Sequence, residues 1–226
     1  MSTVVESTLN RIDALIQSRH LLDHPFYQTW TRGELTLDAL RDYTSQYYQH
    51  VDAFPRYLST LHSITEDAEA RRHILQNLVD EEAGHPNHPE LWLQFANSLD
   101  LEDASVKTTP PEDETRSLIG HFLATCEKST AEGLGALYAY ESQIPAVSET
   151  KIDGLKKYYG MDDPKGYDYF TVHMEADVEH SRVERELLAQ FVTSENEDEV
   201  LLAVEGTLDS LYTLLDGVCV RHGIAC

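Results

Sequence analysis

Three side chains on one short stretch, His173, Asp177 and His180, have the types and the spacing of a metal site. On an α-helix Asp177 stands about 40° from His173 and His180 about 20° to the other side, so all three can point into one place. Two imidazoles and a carboxylate so arranged form the ligand set used for non-heme iron and related ions. The competing reading is a solvated, charged helix face, and Glu175, Glu179, Arg182 and Glu184 show that this helix has one.

A second element is Glu81 with His88, two helical turns apart. Gly84 and Pro86 interrupt the helical pattern between them, and such a break can open the helix while leaving both side chains convergent. Glu81 with His85 is an ordinary i,i+4 pair, and Glu82 can stand in for Glu81, so spacing leaves these choices open. The third element is Glu141, which ends the apolar run Gly133-Leu-Gly-Ala-Leu-Tyr-Ala-Tyr140. A carboxylate ionised in such surroundings needs a cation. Gly133, Gly135 and Ala136 reduce side-chain bulk there, as suits a close helix approach or a cavity. Together, three carboxylates and three imidazoles suit two divalent ions about 3.5 to 4 Å apart.

The elements that must position these groups are helices. Apolar residues recur at helical spacing almost throughout, and no alternating run is long enough for a convincing strand, so the fold class is all-α, a bundle of about seven helices. The expected helices cover about residues 3–22, a stretch starting after Thr36, 66–83 with a resumption at Leu91, 130 to about 158, 166–192, and a last one from about 195. Pro55 should kink or divide the second, and Pro145 should kink the long one from Thr130. Ser129-Thr-Ala-Glu132 and Thr109-Pro-Pro-Glu112 both read as helix starts with a capping box. Gly160 reads as a left-handed stop. Val200, Val204, Leu208, Leu211, Leu215 and Val218 form a core stripe.

With 226 residues, one domain over 1–226 is the working organisation. Seventeen basic against forty acidic residues give a charge of −23, a field that repels nucleic-acid phosphates and anionic lipid, so neither is an expected partner. The N-terminal Met1-Ser-Thr-Val-Val-Glu-Ser has no basic segment leading into an apolar one, and no apolar stretch reaches about 18 residues, so a cytoplasmic location is expected. Cys126, Cys219 and Cys226 lack paired spacing and read as reduced bystanders.

Taken in order, Glu81…His88, Glu141 and His173-x-x-x-Asp177-x-x-His180 in a helical chain of this length resemble the heme-oxygenase-like dimetal oxidases and oxygenases. Within them the likeness is to the CADD family, named for the Chlamydia protein associating with death domains. It extends to Asp80-Glu81-Glu82, Pro86-Asn87-His88 and Tyr140-Glu141-Ser142-Gln143, and runs over essentially the whole chain. The resemblance implies two transition-metal ions, Fe/Fe or Mn/Fe, with molecular oxygen and an external reductant as co-substrates. It implies formation of p-aminobenzoate for folate synthesis from one of the protein's own tyrosines, in a single turnover, and a homodimer. Carried over by position, Tyr27 is the consumed residue and Lys151 the source of nitrogen, with Tyr43, Tyr140 and Tyr169 close to the metals. Without the family, Tyr27 is one of twelve tyrosines and Lys151 reads as a surface lysine. Tyr169 alone is brought near by helical geometry, about 40° from His173 on the same face.

Other readings keep the dimetal site for an external aliphatic acid or amine, or make the chain a metal-free relative of thiaminase II or pyrroloquinoline-quinone synthase, which the six ligands argue against. A non-enzymatic adaptor for death domains is suggested by the family's name alone.

Overall fold

In the computed structural model, which describes residues 3–226, eleven α-helices follow one another. They are α1 (Thr3–Ser18), α2 (Pro25–Thr31), α3 (Leu37–Ile64), α4 (Ala68–Glu82), α5 (His88–Asn97), α6 (Asp103–Thr108), α7 (Asp113–Lys128), α8 (Thr130–Glu141), α9 (Ile144–Tyr158), α10 (Asp168–Phe191) and α11 (Glu197–His222). No strand occurs among the described residues, so the all-α class holds. The count exceeds seven because short α2 and α6 have too few turns to show a period, and because the kink expected at Pro145 is a break.

Several starts follow the caps read from sequence. Thr36 accepts from the Ala39 N–H, Asp67 from Glu69 and Ala70, and Ser129 from Glu132. The start at Thr109 does not form: Thr109 ends α6 in an extended conformation, and α7 begins only after Glu112. A proline disfavours helical geometry in the residue before it, so Pro110 and Pro111 hold Thr109 and Pro110 out of a helix.

The two internal prolines behave differently from each other. α3 passes Pro55 without a break. The lost helix bond costs about 3 kcal/mol. Tyr47, Val51, Tyr57, Leu58 and Leu61 are buried on either side of it, and large apolar side chains return roughly 1.5–3 kcal/mol each on burial. At Pro145 the helix divides into α8 and α9, with the proline in the first turn of α9, where its missing N–H costs nothing. Gly160 takes the expected left-handed conformation, φ +65°, beyond the end of α9.

α8 is the central helix, buried on every side and packed against α3, α7, α10 and α11. Its small residues permit this. A Cβ at Gly133 would lie 2.5 Å from Leu61 Cδ1 on α3, and one at Gly135 3.2 Å from Val200 Cγ1 on α11. Glu141 is the last residue of α8, so the helix delivers a carboxylate into the interior between α4 and α10. No helix among the described residues is long and apolar enough to cross a membrane.

Candidate metal centre

Six donors meet where α4, α5, α8 and α10 converge, and they fall into two sets. Glu81, His88 and His173 offer ligand atoms within 4.8 Å of one another, and so do Glu141, Asp177 and His180. α4 stops just after Glu81, and the Asn87–Glu90 capping box starts α5 with His88 at its first position, which turns the imidazole back toward Glu81. His88 Nδ1 lies 2.9 Å from Glu81 Oε2, and His173 Nε2 3.8 Å from Glu81 Oε1. His180 Nδ1 lies 3.4 Å from Asp177 Oδ1 and 3.7 Å from Glu141 Oε2. A cavity of about 10 Å³ between the sets is bordered by Glu81, Glu141, His173, Asp177, Tyr140 and Tyr169. Glu82 and His85, the alternatives by spacing, face solvent.

These close approaches are not hydrogen bonds. His88 Nδ1, His180 Nδ1 and Asp177 Oδ2 are buried and have no hydrogen-bond partner among the described residues. Buried polar atoms are normally paired, and donors crowded together without pairing fit a cation between them. The outward nitrogens, by contrast, are satisfied. His173 Nδ1 donates to the Tyr169 carbonyl at 2.7 Å, and His180 Nε2 to Asp80 Oδ2 at 3.2 Å. That leaves Nε2 of His173 and Nδ1 of His180 as acceptors toward the centre, the arrangement that orients metal-binding imidazoles. Asn77 Nδ2 donates to both oxygens of Glu141, at 3.0 and 3.3 Å. A further set, His24, Asp216 and Cys226, lies near the surface, but there His24 Nε2 is already bonded to Asp216 at 3.1 Å.

Charge is concentrated at the two sets. Burial would raise Glu81, but the imidazoles of His173 and His88 beside it hold it down at about 2. Burial and the Asp177 charge push Glu141 up to about 8. Burial would lower His180, but the adjacent carboxylates of Asp177 and Glu141 and the hydrogen bond to Asp80 outweigh it and hold it at about 10. At neutral pH the imidazole, which three carboxylates surround, therefore carries a proton, and Glu141 largely does too.

A second cluster lies beside the first. Lys151 is 3% exposed, and its Nζ donates to the Tyr43 hydroxyl at 2.8 Å. That hydroxyl is 3.3 Å from the hydroxyl of Tyr27, itself 1% exposed. The rings of Tyr27, Tyr43, Tyr47, Trp92 and Phe170 surround Nζ at 5.0–5.7 Å. Burial lowers Lys151 to about 7, a cost the ring faces offset in part. The unfolded chain keeps the lysine protonated up to its ordinary 10.5, the folded chain only up to about 7. Between those values unfolding takes up a proton, so this group's contribution to stability improves as pH rises. The metal-free Lys151→Met variant is expected to exceed the parent by a few kcal/mol at pH 7, and by much less at pH 10. Urea unfolding at both pH values tests this, and an equal difference at the two would contradict it.

Of the three tyrosines that the resemblance puts close to the metals, Tyr169 stacks on His173 with ring centres 4.1 Å apart, and Tyr140 borders the central cavity. Tyr43 instead belongs to the Lys151 cluster, and its ring neighbours are Phe26, Trp30, Tyr47 and Trp92. Tyr47 and Trp92 join the clusters: Tyr47 bonds Tyr140 hydroxyl to hydroxyl at 2.8 Å, and Trp92 lies edge-on to Tyr169 at 4.8 Å. Neither is legible as a site residue from spacing, since both read as core aromatics. Glu184 corrects the reading of α10. It is not on the exposed face with Glu175, Glu179 and Arg182 but 5% exposed. Its position four residues after His180 was a usable signal.

In outside comparisons, the fold is shared with a Shewanella denitrificans domain described as having a heme oxygenase-like fold, at a TM-score of 0.80 and 18% identity over 95% of this chain and 91% of that one. A CADD-like protein from Nostoc punctiforme superposes at a TM-score of 0.80 with 16% identity, covering 99% of this chain and 100% of that one. The architecture is therefore the heme-oxygenase-like helical bundle, here with two buried sets of donors able to hold metal ions. Residues 41–212 match the model of a family described as iron-containing redox enzymes, and the chain belongs to that family. A 4-aminobenzoate synthase from Chlamydia muridarum is 44% identical over 209 residues, 92% of this chain and 88% of the relative.

Proposed function

We propose that this chain is an oxygen-activating dimetal enzyme that forms p-aminobenzoate from its own Tyr27, with Lys151 supplying the nitrogen. What supports the reading is the sealed contact of Lys151 Nζ and the Tyr27 hydroxyl with one Tyr43 hydroxyl, in a member of this family whose curated relative makes the same product. Glu81, His88 and His173 would hold one ion, and Glu141, Asp177 and His180 the other. Two such ions, Fe/Fe or Mn/Fe, would supply oxidising power from molecular oxygen and an external reductant.

A tyrosine ring with its Cβ contains the carbon skeleton of p-aminobenzoate once Cα–Cβ is cut, and an amine must replace the phenol oxygen. Burial keeps the Tyr27 and Tyr43 phenols protonated, so oxidising Tyr27 requires a neighbour to take its proton. Tyr43 is positioned to accept it and to pass its own to Lys151, which near neutral pH is partly the free amine. The aromatic walls exclude water that would compete for an oxidised ring. The family resemblance adds a homodimer to this reading, and the sequence a cytoplasmic location.

The reduced, metal-loaded chain exposed to oxygen is expected to yield at most one p-aminobenzoate per chain, with no increase on adding free tyrosine. Product beyond one equivalent would overturn self-consumption. It would favour a second reading, carried by a cavity of about 230 Å³ that reaches His180 between Leu58, Ile74, Leu134 and Leu137, in which an external aliphatic acid or amine is the substrate.

A further inference from the structure

Glu184 is used by none of the chemistry above. On α10 it follows His180 by one turn and Asp177 by two, so it lies on the face that carries those donors. Its carboxyl is buried, and neither oxygen has a hydrogen-bond partner among the described residues. The charges it faces are Glu141 and Asp177, both of its own sign. The neighbouring arginines on the helix are committed elsewhere, Arg182 to Glu179 and Glu186, and Arg185 to Asp13. A carboxyl left this way, against two other buried carboxylates, must either hold a proton, shared with Glu141, or join them around a cation.

The charge balance points the same way. Glu81, Glu141 and Asp177 bring three negative charges to a buried centre, and His88, His173 and His180 ligate as neutral imidazoles. Two divalent ions then leave one positive charge in excess, and a fourth carboxylate cancels it. We propose that Glu184 is a seventh metal ligand, the fourth carboxylate of the centre, and that it binds the ion held by Glu141, Asp177 and His180. The proposal rests on the dimetal reading. It makes this second position the richer in oxygen, with one imidazole and three carboxylates against two imidazoles and one carboxylate at the first. The larger cavity, bordered at the surface by Gln76, Asp80 and Glu179 and inside by His180 and Glu184, offers an entry path.

Manganese(II) is the probe, titrated into the metal-free full-length chain and followed by calorimetry and by the electron paramagnetic resonance of free and bound ion. The parent is expected to take up two ions. Glu184→Gln is expected to keep the first affinity and to weaken the second by at least about tenfold. Circular dichroism should show the metal-free variant folded and melting no lower than the parent, because Gln removes a buried, unpaired acid. A purely structural Glu184 would instead lower melting without separating the two affinities. Anomalous scattering from manganese-loaded crystals of the parent tests the ligand without any variant, and should place a Glu184 oxygen within bonding distance of the second ion. Two bound ions with Glu184 outside that distance, or unchanged second affinity in Glu184→Gln, overturns this proposal and leaves the dimetal reading standing. A parent that binds fewer than two ions removes both.

Discussion

Tyr27→Phe is expected to abolish p-aminobenzoate formation, from as much as one product per chain to none, while both metal ions stay bound. Phenylalanine keeps the ring and its packing against Phe26 and Trp30. It lacks the hydroxyl that meets Tyr43, through which tyrosine is most easily oxidised. Losing that hydrogen bond costs about 1 kcal/mol, too little to unfold a domain of this size. In the parent, cleavage at Cα–Cβ must leave a mass deficit confined to the peptide that contains Tyr27, and mass spectrometry of the spent chain reads it directly. Ring-labelled tyrosine incorporated during synthesis should give labelled product, and lysine labelled at its ε-nitrogen should label the amine. A deficit at Tyr43 or Tyr140 would move the consumed residue while preserving the chemistry. Unlabelled amine would take Lys151 out of its role.

The second large effect separates the two ions. His173→Ala removes a donor only from the set with Glu81 and His88, and Glu141→Gln only from the set with Asp177 and His180. Each variant should lose one equivalent of metal and the double variant both, counted by elemental analysis after desalting. Full occupancy in either single variant would contradict the assignment. Proton release gives an independent check. In the metal-free protein His180 is held at about 10 and Glu141 at about 8, so near neutral pH the second set carries up to two protons that must leave when an ion binds. Glu81, held at about 2, stays ionised and contributes none. Calorimetry in buffers of different ionisation enthalpy should therefore register proton release at pH 7. Apparent affinity should rise as pH climbs toward 8–10 and fall on acidification, the second ion leaving before the first.

Glu184 shows where reading a helix by its charges fails. Its acidic neighbours mark an exposed face, yet one residue of the four turns inward, because the width of the buried stripe depends on how many helices pack against α10. Lys151 fails in the same way. Alone it has no signal, since the groups that bury it come from α2, α3, α5 and α10, far away along the chain. Tyr47 and Trp92, which bridge the clusters, are indistinguishable in sequence from aromatics that only pack.

What the sequence by itself determined was local. The helical class follows from apolar periodicity, and the alignment of His173, Asp177 and His180 follows from steps of four and three on one rigid backbone, whatever surrounds it. Glu141 was legible because an acid closing an apolar run is costly to bury without a cation. Tertiary structure decided what depends on separate helices meeting. It chose Glu81 over Glu82 by turning one face of α4 inward, and His88 over His85 by starting α5 at His88 and leaving His85 in the exposed connection. It let α3 continue through Pro55, where burial of large side chains exceeded one lost hydrogen bond. It also sorted six donors into two sets and brought Lys151 to Tyr43 and Tyr27. Backbone geometry fixes neighbours within a helix, whereas contacts across helices are set by the packing of whole surfaces, which no local spacing encodes.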